Sequence, residues 1–179
     1  MADSVAVGAE APNFDLASTE NAVLMLCDEV PRMAVLLYFF ADPGSERVRA
    51  DLAALRQSQA SLTARRAVVL AVSPAKLPAL MEIQKELDLR FPLLHDDRDF
   101  TARYGIEAPS EGPAEPAMFL VDRDQRIVWL ERPLSSVEGA LGEVTGLLEK
   151  QPAPTYHYPS SVVNRVVNWW VNKIRPRTA

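Results

Sequence analysis

The sequence predicts an α/β domain over residues 1–150, with a central mixed sheet flanked by helices. Two continuous apolar runs, Ala34–Phe40 and Ala67–Val72, are rich in β-branched and aromatic residues, as expected of strands buried on both faces. A segment with helical spacing follows each run, and this alternation is typical of an α/β domain. The chain has 179 residues and is 48% hydrophobic, which allows a sizeable core.

The first half of the chain is predicted to begin with two peripheral strands. The turn residues of Asp42–Ser45 then interrupt the central strand, and apolar residues recur at helical spacing after it. The predicted elements are strands at Pro12–Leu16, Ala22–Leu26, Ala34–Phe40 and Ala67–Val72, and helices at Arg47–Ser58 and Ala75–Leu87.

The second half is predicted to contain a short helix, a hairpin and a last core helix. The short helix covers Asp99–Tyr104, and Gly105 is placed to end it. Strands Met118–Val121 and Arg126–Leu130 bracket a polar turn, which indicates a hairpin. Ser135 or Ser136 can cap a helix that runs to about Lys150.

Composition excludes several classes of function. There is no run of eighteen apolar residues and no signal-peptide pattern at the start, so we expect a cytoplasmic protein, peripheral at most to a membrane or a larger complex. Cys27 is the single cysteine, which rules out an internal disulfide. His95 and His157 lie far apart, with no cysteine and no second histidine near either, so no metal site is predicted, and no cofactor is predicted either.

The charge is divided between an acidic body and a basic tail. The chain carries −5 and residues 151–179 carry +4, so the first 150 residues carry −9. An acidic body disfavours nucleic acid as a partner.

The tail is predicted to be a linker followed by an amphipathic helix. Three prolines in residues 151–159 indicate a semi-rigid linker. In residues 160–176 the apolar residues recur at helical spacing and polar residues occupy the other side. The residues expected to make contacts are Val163, Val166, Trp169, Trp170 and Ile174, together with Arg165 and Lys173.

A helix of this length and composition needs a surface to fold against. Three surfaces are open: the chain's own domain or a second copy, a different protein, and an anionic membrane. Asparagine rather than lysine dominates the polar side, and the body is acidic, so the membrane is the least favoured of the three.

Several local phrases resemble those of one family. Gly8–Leu16 contains Pro-x-Phe-x-Leu, Phe91–Asp96 leads towards Tyr104-Gly105, and Phe119–Asp122 reads Phe-Leu-Val-Asp. In order and spacing they resemble the alkyl hydroperoxide reductase and thiol-specific antioxidant family, the peroxiredoxins, over about residues 8–149. The resemblance implies a thioredoxin-like fold.

The resemblance also implies a reactive cysteine at the start of the helix after the central strand, where the helix N-terminus favours a thiolate. Three alignments are open. A Pro-Gly-Cys turn places Ser45 at the cysteine, and a longer Pro-x-x-x-Thr-x-x-Cys phrase places Arg47 at the threonine and Ala50 at the cysteine. Comparison with Cys-x-x-Cys enzymes places Ser45 and Val48 at the two cysteines. None of the three alignments supplies a thiol.

A second family residue is also missing. The resemblance places an arginine three residues before Phe119, where this chain has Pro116. Thioredoxins carry a cis-proline at that place, so the resemblance leaves open whether the peptide bond before Pro116 is cis or trans.

The expected function is therefore non-catalytic. Ser45 is expected to cap the helix rather than act as a nucleophile, and Cys27, in an apolar run, is expected to be buried and unreactive. The preferred hypothesis is a binding or assembly subunit attached through residues 160–176. The alternative is a divergent thiol-dependent oxidoreductase that uses Cys27 or a partner's thiols. A third hypothesis is a small-ligand binder with an anion at the Gly44–Ser45 helix start.

Overall fold

The computed structural model describes residues 5–29, 33–97, 99–106 and 114–150. The predicted linker 151–159, the predicted helix 160–176 and all of its proposed contact residues lie outside the described residues. The described strands and helices are, in chain order, β1 Asp15–Ser18, β2 Val23–Met25, α1 Leu26–Glu29, β3 Ala34–Phe39, α2 Glu46–Ala64, β4 Ala67–Ser73, α3 Leu77–Glu86, β5 Leu93–His95, α4 Asp99–Arg103, β6 Ala117–Val121, β7 Ile127–Glu131 and α5 Val137–Lys150.

The sheet has seven strands in the order β2-β1-β5-β4-β3-β6-β7. Strand β3 runs parallel to β4 and antiparallel to β6, so the sheet is mixed, as predicted. Every residue of β3, β4 and β6 is buried, which explains why the sequence shows unbroken apolar runs there rather than alternation.

The two faces of the sheet carry separate cores. Leu36 and Tyr38 of β3 point to the face covered by α2, α3 and α5. Leu37 and Phe39 point to the opposite face, together with residues from α1 and α4. The aromatic rings of Phe14, Phe39, Phe100, Tyr104 and Phe119 pack on that opposite face, with centroids 4.6–5.7 Å apart.

The predicted elements are present, with shifted ends. Strand β1 begins at Asp15 rather than Pro12, and α3 begins at Leu77 rather than Ala75. Helix α2 continues to Ala64 instead of ending at Ser58, because Leu62 is buried in the core and Gln59 donates a hydrogen bond to the Arg90 carbonyl at 3.0 Å.

Ser136 caps α5, since its hydroxyl accepts the Gly139 N–H at 3.3 Å. Among the described residues, no helix combines the length and the apolar character that a membrane span requires.

Gly105 ends α4 in a left-handed conformation, with φ of +66°. The Arg132 guanidinium lies where a side chain would start, since a Cβ on Gly105 would meet Arg132 Nη1 at 2.3 Å. This guanidinium donates to the Tyr104 carbonyl and, at 3.1 Å, to the Val5 carbonyl. Arg132 therefore ties the end of β7 to α4 and to the N-terminal segment.

We expect Gly105→Ala to lower the free energy of unfolding by about 1–2 kcal/mol, because the left-handed conformation penalises a Cβ and the new methyl displaces Arg132. Gly142→Ala is the matched control, since a Cβ there has open space and lies inside α5. It should raise the free energy of unfolding by about 0.5–1 kcal/mol. Urea denaturation measures both, and equal effects would contradict the role assigned to Gly105.

Candidate functional site

The junction between β3 and α2 is formed by a tight turn. The Asp42 carboxylate accepts the Gly44 N–H at 2.8 Å, and the Asp42 carbonyl accepts the Ser45 N–H at 3.2 Å. Asp, Pro and Gly are turn formers, and here they bring the chain directly to the first residue of α2, Glu46.

Ser45 occupies the N-cap position of α2 with an extended backbone, φ −63° and ψ 131°. The predicted position is confirmed, but the predicted capping bond is not, because the Ser45 hydroxyl makes no capping hydrogen bond. Its carbonyl accepts the Arg49 N–H at 3.0 Å. Glu46 supplies a negative charge in the first turn, which complements the helix dipole without the hydroxyl.

The three positions that the alignments place at a cysteine point in different directions. Val48 is buried in the core beneath α2, Ala50 is exposed, and Ser45 is half-buried at the start of the helix. Among these three, Ser45 is the residue that the fold places at the helix N-terminus, where unpaired N–H groups can stabilise an anion.

Pro116 is buried directly before β6, and the next residue, Ala117, pairs with Phe39 at the end of β3. The Pro116 carbonyl accepts the Leu134 N–H at 2.7 Å. The sequence left the isomer at Pro116 open, and the structure has it trans: among the described residues the cis peptide bond precedes Pro133. Pro116 continues the extended path of β6, and a trans bond, the intrinsically favoured isomer, suits that path.

Arg47 spans the gap between α2 and the segment before β6. Its guanidinium forms an ion pair with the Glu115 carboxylate at 2.9 Å and also donates to the Leu134 carbonyl. The basic group at this junction is therefore held by a carboxylate and a carbonyl. Arg47 and Glu115 are 68 residues apart, so nothing local in the sequence indicated their contact.

A buried acid lies one turn further along α2. Asp51 accepts a hydrogen bond from the Tyr38 hydroxyl at 2.9 Å, and both residues are buried. Burial raises the pKa of Asp51, while the Tyr38 hydrogen bond and the Arg47 charge oppose this shift. Burial, and then the Asp51 charge, raise the pKa of Tyr38 above its ordinary value.

The Tyr38–Asp51 pair was not predicted from the sequence. One signal could have found it: Asp51 falls on the apolar stripe formed by Val48, Leu52 and Leu55 at helical spacing. A charged residue on a buried stripe needs a polar partner from the facing strand, because an unpaired buried charge is costly.

Cys27 lies in α1 and is partly exposed, so the expectation of a buried thiol is wrong. The fully buried residue is its neighbour Leu26, which points into the core and directs Cys27 away from it. Asn13 contacts Cys27 twice: the Asn13 amide donates to the sulfur at 3.4 Å, and its oxygen accepts the Cys27 N–H at 3.0 Å.

The thiol is remote from the β3–α2 junction in the fold. Leu26 of α1 packs in the core on one face of the sheet, whereas α2 packs on the other. Cys27 therefore does not replace the missing cysteine beside Ser45.

Together, the mixed seven-stranded sheet and the helix α2 that starts after β3 define a thioredoxin-like fold of the peroxiredoxin type. Residues 7–130 match the model of the AhpC/TSA family, so the chain belongs to that family. In this member, the described β3–α2 junction contains no cysteine.

Individual relatives agree with this assignment. The chain is 29% identical over 154 residues to a putative peroxiredoxin bcp from Coxiella burnetii, covering 81% of this chain and 99% of the relative. It is similar in fold to peroxidoxin BcpB from Mycobacterium tuberculosis, with a TM-score of 0.77, 16% identity and coverage of 83% and 99%. A PrxQ mutant from Xylella fastidiosa gives a TM-score of 0.74, 19% identity and coverage of 82% and 97%.

We expect Tyr38→Phe to destabilise the domain more at neutral pH than in acid. Because burial raises the pKa of Asp51, folding favours its protonated form, and this contribution to stability is lost as the pH rises through that pKa. The variant removes the donor that offsets the cost of the buried carboxylate, so the free energy of unfolding should fall by about 1–3 kcal/mol at neutral pH.

Tyr104→Phe is the control, because the Tyr104 hydroxyl donates at 3.1 Å to the Pro12 carbonyl, which does not titrate. The decrease in the free energy of unfolding caused by Tyr104→Phe should be independent of pH. Urea denaturation across the acidic and neutral range compares the two variants. Parallel pH profiles for both would contradict the pairing of Tyr38 with a titrating carboxylate.

Proposed function

We propose that this chain is a non-catalytic member of the AhpC/TSA family that acts as a binding or assembly subunit, with residues 160–176 as its attachment segment. The observation that carries the proposal is chemical: Ser45, at the start of α2, has no sulfur to be oxidised. A hydroxyl has no thiolate-like state near neutral pH and no sulfenic acid chemistry.

The surroundings of Ser45 support the same proposal. Pro116 stands where the family has an arginine, and it offers no charge to a peroxide oxygen. The nearest basic side chain on the helix, Arg47, is engaged by Glu115 and by the Leu134 carbonyl. Restoring peroxide reduction would therefore require both a thiol and a free cationic group at the junction.

The second candidate is a divergent thiol-dependent oxidoreductase that uses Cys27. One observation favours it: Cys27 is partly exposed, and the Asn13 amide donates to its sulfur. A partly exposed sulfur is accessible to an oxidant. The two candidates therefore differ in the reactivity of this one sulfur.

We expect Cys27 to react with peroxide no faster than free cysteine. Intact-mass spectrometry after one equivalent of hydrogen peroxide measures the reaction, since sulfenic acid adds one oxygen atom. Cys27→Ser is the blank for methionine oxidation. Oxidation of Cys27 at a rate orders of magnitude above that of free cysteine would overturn the non-catalytic proposal and establish the alternative.

The attachment role of residues 160–176 rests on their composition. Two of the chain's three tryptophans lie here, beside basic residues and behind a proline-rich spacer. Aromatic residues and arginine are enriched in protein interfaces, whereas acidic residues are depleted. The spacer allows the segment to reach a surface away from the domain.

We expect Val166→Asp to weaken association at least about tenfold, because it places a charge among the apolar contact residues. Asn164→Asp makes the same change in charge on the predicted polar side, and it should leave association unchanged. Light scattering detects self-association, and quantitative affinity purification from the protein's own cells detects a different partner. The attachment role would be refuted if, in both measurements, both variants associate as strongly as the wild-type chain does.

A further inference from the structure

An open groove of about 710 Å³ lies between α3 and the turn after β1. Its apolar lining includes Pro78, Met81 and Leu89, and Met81 is 46% exposed. Its charged lining consists of Glu20, Glu82 and Asp88 with a single cation, Lys85. The groove therefore joins an apolar strip to a net negative rim, and we call it the α3 groove.

Exposed apolar residues continue beyond the α3 groove on the same side of the sheet. Val23 pairs with Ala17, which pairs with His95, and the His95 ring lies 2.9 Å from the Ala75 carbonyl just before α3. This register places the Val23 and Met25 side chains on the α3 side, where they are 61% and 41% exposed.

Most of the large hydrophobic residues that are exposed in the described part of the chain lie on the α3 side of the sheet. Of the four large hydrophobic residues that the described part of the chain leaves exposed, three lie on this side: Val23, Met25 and Met81. The fourth, Val7, precedes Gly8, whose N–H bonds to the Ile127 carbonyl of β7, at the opposite edge of the sheet. Clustered exposed apolar residues bordered by charges are typical of a binding surface.

We propose that the α3 groove binds residues 160–176 of the same chain. The chemistry of the two surfaces is complementary. The segment offers apolar residues and two tryptophans to Met81 and its neighbours, and it has cations without a single acidic residue. The groove offers the carboxylates of Glu20 and Glu82 against the Lys85 ammonium group, while its third carboxylate, Asp88, is paired with Arg56, so docking brings opposite charges together.

The linker is long enough for this docking. Helix α5 ends beside the end of α2, where Arg65 pairs with Glu149 at 2.8 Å. Nine residues earlier on α2, Arg56 pairs at 2.8 Å with Asp88, which lines the groove. Packed helices lie 8–10 Å apart and rise 1.5 Å per residue, so the path from the end of α5 is roughly 20–25 Å. A proline-rich linker of nine residues, 151–159, spans about 28 Å.

This proposal rests on the proposed function, and it adds a way to regulate whether residues 160–176 are available to a partner. Residues 160–176 cannot contact the α3 groove and an external partner through the same apolar residues at once. The α3 groove therefore competes with the partner, and the free chain keeps its attachment segment covered. Docking weakens the apparent affinity for a partner, because only the fraction of chains whose segment is undocked can bind that partner.

The test uses the full chain with Trp129→Phe, so that Trp169 and Trp170 are the only tryptophans left to report by fluorescence. In that background, Met81→Lys should raise the acrylamide quenching constant several-fold, because it places a positive charge on the apolar strip and repels the cationic segment. Val7→Lys also replaces an exposed apolar residue with lysine, but at the opposite edge of the sheet, and it should leave quenching unchanged. If the Trp129→Phe chain does not fold, the same pair of variants is compared with all three tryptophans present.

Two outcomes would overturn the docking. One is equal quenching in the Met81→Lys and Val7→Lys chains. The other is quenching that rises on dilution of the parent chain, since this would show the segment bound to a second copy rather than to its own domain. Failure of the attachment role appears instead as unchanged association in Val166→Asp, so the two proposals fail by different measurements.

Discussion

Burial of β3 on both faces is the constraint that fixes the site. The even-numbered and odd-numbered residues of β3 pack in two separate cores. The strand therefore cannot slip by one residue without moving Tyr38 and Phe39 to the wrong faces. Parallel pairing with β4 and antiparallel pairing with β6 fix its position further. The chain therefore leaves the sheet at one defined place, and the Asp42–Ser45 turn starts α2 there. The location of Ser45 follows from packing alone and needs no catalytic residue.

Two polar contacts around that helix start differ in their energetic weight. Arg47 and Glu115 form an exposed ion pair, which contributes at most about 1 kcal/mol in water. Tyr38 and Asp51 are buried, and removal of either partner would leave the other without its hydrogen bond in the core. The buried pair therefore adds to the apolar packing that holds α2 on the sheet, whereas the surface pair determines which charges solvent and ligands meet.

The sequence predicts the fold better than it predicts the site, for a physical reason. Continuous apolar runs predict the long buried strands at 34–39 and 67–73. Gly105 predicts the end of α4, because glycine adopts the left-handed conformation readily. The Arg47–Glu115 and Arg132–Val5 contacts join residues far apart in sequence, so no local pattern encodes them. The exposure of Cys27 was mispredicted because an apolar run does not tell which of two neighbours, Leu26 or Cys27, faces the core when a short helix follows the strand.

A domain whose stability resides in its two cores can lose its chemistry without losing its shape. The positions that would carry the thiol and the arginine, Ser45 and Pro116, contribute a helix start and an extended entry to β6, and both roles suit the residues present. Such a scaffold still has a surface that can bind other groups. The described surface is uneven: its exposed apolar residues gather on the α3 side, beside carboxylates, while the chain's final 29 residues carry only positive charge. In the proposed docking, the linker sets the effective concentration of the segment at the α3 groove, on the order of millimolar, so the contact is populated only if its dissociation constant lies below that value.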